Sequence, residues 1–261
     1  MMTEAAQLYT KLFSTLTQRW SDVLNFRRVV ELGLPSATRQ LADDNLRFTR
    51  RFLTDPANEN LFLDREEFLK TIGGPQGMGE TMTKNQLAAF NASVDRTSIV
   101  FMHSALDGAA HDLCRVAALV APADWEPFLK NLRVPLPELK LSPYDAIFTQ
   151  KLNDHLVAFE RESLLKKVDR LFQLTKPAAG YAPILNYKFD RDRLEVLDRL
   201  RHDVIHGDDR SSTLDSIQES LKFMFDTGLF LFAMVNAHYS VKLDPFYYMK
   251  IQARPSGGCG C

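Results

Sequence analysis

Asp190-Arg-Asp-Arg-Leu-Glu-Val-Leu-Asp-Arg-Leu-Arg-His-Asp-Val-Ile-His-Gly207 is the stretch on which the reading of the fold turns. Leu194, Leu197, Leu200 and Val204 recur at three- and four-residue steps, which places them on one side of a helix and leaves the charged residues for the other sides. Asp190 offers an N-cap, and Gly207 stands where a helix end takes a left-handed residue. A helix with one apolar stripe has to bury it against other elements. The flanking sequence supplies them. Downstream, Ser212 to Asp215 resembles a capping signal for a long helix through about Val241, with Ile217, Leu221, Met224, Gly228, Leu231 and Val235 on one stripe. Upstream, a helix is expected from about Pro143 to Leu174, stopped by Pro177 and Gly180. Before it, a long helix from about Thr83 to Val120 carries Ile99, Met102, Leu106, Ala109, Leu113, Val116 and Val120 on one face. Pro122, Pro127, Pro135, Pro137 and Pro143 make the intervening stretch an irregular connection around Trp125 to Leu132.

Further out, residues from about Thr3 to Leu53 read as two or three short helices, with breaks near Ser21–Asp22 and at Leu34–Pro35. The run from Gly73 to Gly79 lacks the Lys-Ser/Thr that completes a phosphate-binding loop, and reads as a flexible linker. No segment alternates with the period of a strand and no repeat is visible. The expectation is an all-α fold, a helical bundle with additional N-terminal helices. Its organisation is 1–82 as an N-terminal helical segment and linker, 83–242 as the bundle, and 243–261 as a flexible tail.

Composition sets limits on function. Hydrophobic residues make up 45 % and charged residues 25 %, which excludes global disorder. Lys+Arg 32 against Asp+Glu 33 gives a net charge of −1, so any polyanionic ligand must be met by a local patch. Cys114, Cys259 and Cys261 are too few for a disulfide framework, which fits a reducing, cytoplasmic compartment. The N-terminal residues lack the pattern of a secretory signal, and the most apolar stretch, Gly228 to Val235, is far short of the ~20 residues of a membrane span. A soluble protein is expected.

The densest group of titratable side chains runs from Asp198 through Arg201, His202, Asp203 and His206 to Asp209. Asp198, His202 and His206 are spaced by four and stack along one helix face. Arg201 lies five residues before His206, roughly 7–8 Å along the axis and about 140° around it. One helix does not easily bring both to a single phosphate, but two copies meeting at a two-fold axis do. An arginine and two histidines suit RNA cleavage through the 2′-hydroxyl. An imidazole with a pKa of about 6.5 takes the hydroxyl proton, and a guanidinium holds the phosphate and offsets transition-state charge. Requiring the 2′-hydroxyl separates RNA from DNA. The acidic neighbours Asp198, Asp203, Asp208 and Asp209 must be offset by Arg199, Arg210 or basic groups elsewhere, and Lys166, Lys167 and Arg170 form one modest basic cluster.

Arg201-His-Asp-Val-Ile-His206 resembles the motif of the HEPN superfamily (higher eukaryotes and prokaryotes nucleotide-binding domains): Arg, a polar residue, three residues, then His, often with Gly following, as Gly207 does. The resemblance covers about Asp95 to Val241. It implies a homodimer with metal-independent endoribonuclease activity, leaving a 2′,3′-cyclic phosphate and a 5′-hydroxyl, without cofactor. Arg201 would bind the phosphate, His206 would be the general acid and base, and His202 would orient one of them or the substrate. Family members act as toxins, anti-phage effectors and RNA-processing enzymes, some restrained by an antitoxin or regulatory partner.

Other readings compete. Arg201 and His206 could serve a salt-bridged helix surface, or the bundle could be an inactive HEPN binding module. Asp198, His202 and His206 could supply metal ligands, and His111-Asp112 with His202-Asp203 resemble the doublets of HD-type phosphohydrolases. His103, His111, His155 and His238 are expected at core edges or on the surface, with His111 a candidate for the motif cleft. The run Phe223 to Phe232 is read as core or dimer interface, and Cys259-Gly-Cys261 as a flexible tail.

Overall fold

The computed structural model describes residues 2–61, 64–129, 143–176, 187–206 and 217–243. Regular structure among them is helical, with no strand, so the all-α expectation holds. The α-helices are α1 (Met2–Thr54), α2 (Arg65–Thr71), α3 (Gly74–Val120), α4 (Glu126–Leu129), α5 (Tyr144–Phe159), α6 (Leu164–Thr175), α7 (Arg191–His206) and α8 (Ile217–Tyr239). Short 3-10 turns occupy Pro56–Leu61 and Pro122–Trp125. Contacts divide the chain into two units, one of Met1–Ser21 with Ile99–Cys261, the other Asp22–Ser98. This division falls elsewhere than the expected boundary at 82/83.

Three local expectations are corrected. First, α1 is unbroken from Met2 to Thr54, with Pro35 inside it. Proline there removes one backbone donor, yet Pro35 and Glu31, whose carbonyl loses its partner, are both exposed, so water can serve that oxygen. Second, the Gly73–Gly79 run is not a linker: it turns the chain and opens α3 nine residues before the expected start at Thr83. Gly73 and Gly74 take φ of +71° and +67°, the left-handed region open to glycine. A Cβ on Gly77 would lie 2.0 Å from the Ile72 carbonyl oxygen, and Gly79 lets α3 approach the backbone of Leu46. Third, the helix expected over 143–174 is two helices. Ser163 adopts an extended backbone, and its hydroxyl accepts from the Lys166 N–H, which starts α6 afresh.

In the larger unit, α6 packs against both α7 and α8. Ile99, Met102, Leu106, Leu113 and Val116 of α3 are buried, as are Leu194, Leu197 and Leu200 of α7 and Leu221, Met224, Leu231 and Val235 of α8. The predicted stripes therefore form the core, except at their ends, where Val120, Val204 and Ile217 are half-buried. Trp125 is fully buried, and Phe223, Phe230 and Phe232 are core residues too. The first turns of α1 join this unit: the Tyr9 hydroxyl donates to the Phe232 carbonyl at 2.8 Å, and Trp20 stacks on Phe225 at 4.8 Å. Gly228 of α8 accommodates Leu16, whose Cδ2 would sit 2.5 Å from an added Cβ.

The smaller unit pairs residues of α1 and α3 in antiparallel order. Arg27 bonds Asp95 at 2.6 Å, Asn45 bonds Thr83 and Gln86 at 2.9 and 2.7 Å, and the Thr49 hydroxyl donates to the Pro75 carbonyl at 3.0 Å. As one partner's number rises, the other's falls.

No described helix is long and apolar enough to cross a membrane. The segment expected to cap α8, Gly207, and the tail with Cys259 and Cys261 lie outside the described residues.

Candidate functional site

The motif lies on α7. Its start is as expected: the Asp190 carboxylate accepts from the Arg193 N–H at 3.0 Å. The leucine stripe fixes the helix's rotation, and this decides where each motif side chain points.

Asp198 turns inward. Its Oδ1 meets Nε2 of His103 on α3 at 2.9 Å, and His103 is only 2 % exposed. That hydrogen bond holds the Asp198 carboxyl below the usual carboxylate range against the opposing effect of burial, with the charges of His103, Arg201 and Lys167 adding to it. An ionised carboxylate only accepts, so His103 donates through Nε2. Its Nδ1 is buried with no hydrogen-bond partner.

Arg201, three residues on, is part-buried, and its charge reaches Asp198. Its Nε is buried and makes no hydrogen bond. An Nε–H out of water and without an acceptor costs about 1–3 kcal/mol. His202 points outward and is exposed, as are Arg199, which bonds Glu195 at 3.3 Å, and Ile205. His206 is the last residue of α7, and its side chain lies outside the described residues. The structure thus sets Arg201 within electrostatic reach of Asp198, which His103 holds, and puts His202 on the solvent side of the same helix.

A second buried ion pair lies nearby in sequence and charge. Lys167 on α6 is 1 % exposed, and its Nζ meets both carboxylate oxygens of Asp107 on α3 at 2.7 and 2.8 Å. Lys167 is therefore no part of a solvated basic track, and Arg170 lies with its guanidinium 3.7 Å over the Phe128 ring. Only Lys166 of that expected cluster faces water, and it pairs with Glu162.

His111 does not reach the motif helix. Its Nε2 is bound to the Leu156 carbonyl at 3.1 Å and its Nδ1 lies 3.4 Å from Asp112, a contact that raises its pKa above the ordinary imidazole value. His155 stacks on Phe159 and meets Trp125 edge-on, where burial lowers its pKa, and His238 is exposed against Tyr239. His103, expected at a core edge or on the surface, is instead buried and bonded to the motif helix. Its signal was present: His103 and Asp107 stand one turn apart beside the apolar stripe of α3. Among the described residues no three His, Cys, Asp or Glu side chains converge as metal ligands.

No family model, curated protein or solved structure matches the chain.

Proposed function

We propose that this chain is a metal-independent endoribonuclease of HEPN type that works as a homodimer, in the setting of a toxin or anti-phage effector. The observation that carries the reading is the Nε of Arg201, buried on a helix of an all-helical unit and without a hydrogen-bond partner. A phosphate oxygen would supply the acceptor and receive a charge-assisted bond. The ionised Asp198, itself held by His103, keeps negative charge beside the guanidinium and favours one placement of it.

The reaction has few steps. His206 of one protomer takes the proton of a ribose 2′-hydroxyl, and the 2′-oxygen attacks the adjacent phosphorus. Arg201 holds a non-bridging oxygen as charge builds on it. The bond from phosphorus to the 5′-oxygen breaks, and that oxygen leaves with a proton from the imidazole of the second protomer. The products are a 2′,3′-cyclic phosphate and a 5′-hydroxyl. His202, exposed on the same helix, contacts the substrate strand.

The test is cleavage of single-stranded RNA in EDTA by the wild-type chain, Arg201→Ala and His206→Ala. Both variants lose cleavage while keeping wild-type helicity and the dimer mass by light scattering. Cleavage that survives either substitution, or that requires a divalent ion, contradicts the proposal.

A further inference from the structure

Within the unit 22–98, the last three turns of α1 carry an arginine-rich face. Asp44, Arg47, Arg50, Arg51 and Thr54, with Phe48, line an open cavity of about 710 Å³. Arg50 and Arg51 stand three and four residues after Arg47 and four and three before Thr54, so all four share one side of the helix. This lining carries three guanidinium groups and one carboxylate, in a chain whose net charge is −1. The carboxylate does little to neutralise it: Asp44 lies 3.9 Å from Arg47, and both are well exposed. Arg50 and Arg51 have no carboxylate partner among the described residues. Asp43 and Asp55 bracket the stretch, and Asp55 is engaged in capping the following turn through the Ala57 N–H. Stabilising the C-terminal end of α1 calls for positive charge in its last turn, which Arg51 alone supplies. Arg47 and Arg50 are left over.

Phe48 adds a second, independent feature. It is 52 % exposed and stacks on Phe52, with ring centroids 5.9 Å apart and 17° between planes. A flat aromatic surface, braced from behind and edged by arginines, suits an unpaired base with its phosphates on either side. A bilayer surface would call for a broad apolar face, but Leu53 is buried and Phe48 is the one large hydrophobic residue exposed along this arginine stretch.

We infer that the arginine face of α1 from Asp44 to Thr54, with Phe48, binds single-stranded RNA through phosphate contacts and base stacking. It is a binding surface, separate from the motif on α7 and with no part in the bond-breaking step. The choice of RNA rests on the ribonuclease reading above.

The experiment uses the full-length chain and a labelled 2′-O-methyl oligouridine, which lacks the attacking hydroxyl and so stays intact. Anisotropy titrations are run over a range of salt, with circular dichroism on each variant. Arg50→Glu with Arg51→Glu weakens binding about tenfold or more, and flattens the salt slope by about 1.4, the value for two lost phosphate contacts on a single strand. The milder Arg50→Gln with Arg51→Gln weakens it in the same direction. Phe48→Ala weakens it about fivefold or more with the salt slope unchanged. Arg161→Glu with Lys166→Glu, an equal charge reversal at two exposed residues of the other unit, leaves binding as in the wild type. Absence of RNA binding by the wild-type chain overturns the inference. So does an equal loss in the Arg161/Lys166 variant, or wild-type affinity in both the Arg50/Arg51 and Phe48 variants. Binding of phosphatidylserine vesicles that depends on these residues while RNA binding does not would overturn it as well. The two readings fail separately. Cleavage absent with binding intact removes the nuclease, and cleavage intact with binding unaffected by these substitutions removes this surface.

Discussion

The two units of the chain are held together by different means. In the unit of residues 1–21 and 99–261, helices close over an apolar interior that includes Met102, Leu106, Leu113, Trp125, Leu171, Leu194 and Leu231, and charged pairs are set into it. Lys167 with Asp107 and His103 with Asp198 are examples. Among the described residues of the unit 22–98, few large apolar side chains are buried, such as Val23, Leu53 and Val94, while Leu24, Phe26, Val29, Leu32 and Phe48 remain exposed. Its seam is marked by polar groups such as Asn45, Thr49 and Thr83. Two paired helices offer one line of contact, and there side-chain hydrogen bonds specify which residues face each other. A closed bundle instead gains its stability from burial, and a charge placed inside it must keep its partner.

Substitutions sharpen the contrast, and the largest effect belongs to the closed bundle. Lys167→Met removes the partner of Asp107 and costs about 3 kcal/mol, the low end for a broken buried pair because Asp107 keeps some contact with water. Urea denaturation checks this, and a loss below about 1 kcal/mol would show that the pair is not what the core depends on. Next comes Gly228→Ala. The new methyl group meets Leu16, itself buried, and overpacking of this kind costs about 1–3 kcal/mol. Thermal melts that match the wild type would mean Leu16 moves aside freely. In the other unit, Asn45→Ala removes two side-chain hydrogen bonds from the seam but leaves Thr83 bonded to the Gly79 carbonyl. The expected cost is about 1 kcal/mol, read by hydrogen exchange confined to residues 22–98. Faster exchange throughout the bundle would break the comparison.

The smallest effect is one of pH. Asp198 is held below its ordinary pKa by the His103 hydrogen bond. The stability it contributes is therefore fully present above the ordinary value of 3.8 and is lost as pH falls through the lowered folded value. The wild-type chain should lose more stability than Asp198→Asn as pH falls from about 4 through that lowered value. Parallel curves for the two proteins would show that the interaction with His103 does not favour the ionised carboxylate.

Much of the bundle was legible in sequence, and the reason is periodicity. The stripes of α3, α7 and α8 repeat over several turns and have only one way to be buried. Failures came where a single residue type has two uses. Glycines at 73–79 signal a linker by composition, yet Gly77 makes room for the Ile72 carbonyl just before it, and Gly79 for the backbone of Leu46, a partner distant in sequence. Pro35 signals a break, but on an exposed side of a long helix its cost is local. Ser163 carried a capping signal that four leading helical turns obscured. For the site, Arg201 and His202 were marked by their spacing, whereas His103 was not. The His103 and Asp107 spacing on α3 is a local cue, but its pairing with Asp198 comes from the rotation of α7, which α3 does not encode.

The central claim, that Arg201 and His206 direct attack by a ribose hydroxyl on its own phosphate, is tested most directly by the chemistry of the ends. An end-labelled single-stranded RNA and the same strand with one 2′-deoxy position at the cut site are incubated with the protein in EDTA. The account predicts 2′,3′-cyclic phosphate and 5′-hydroxyl ends from the first, and no cut at the deoxy position of the second. A cut at the deoxy position, ends bearing a 5′-phosphate, or an uncut RNA would contradict it.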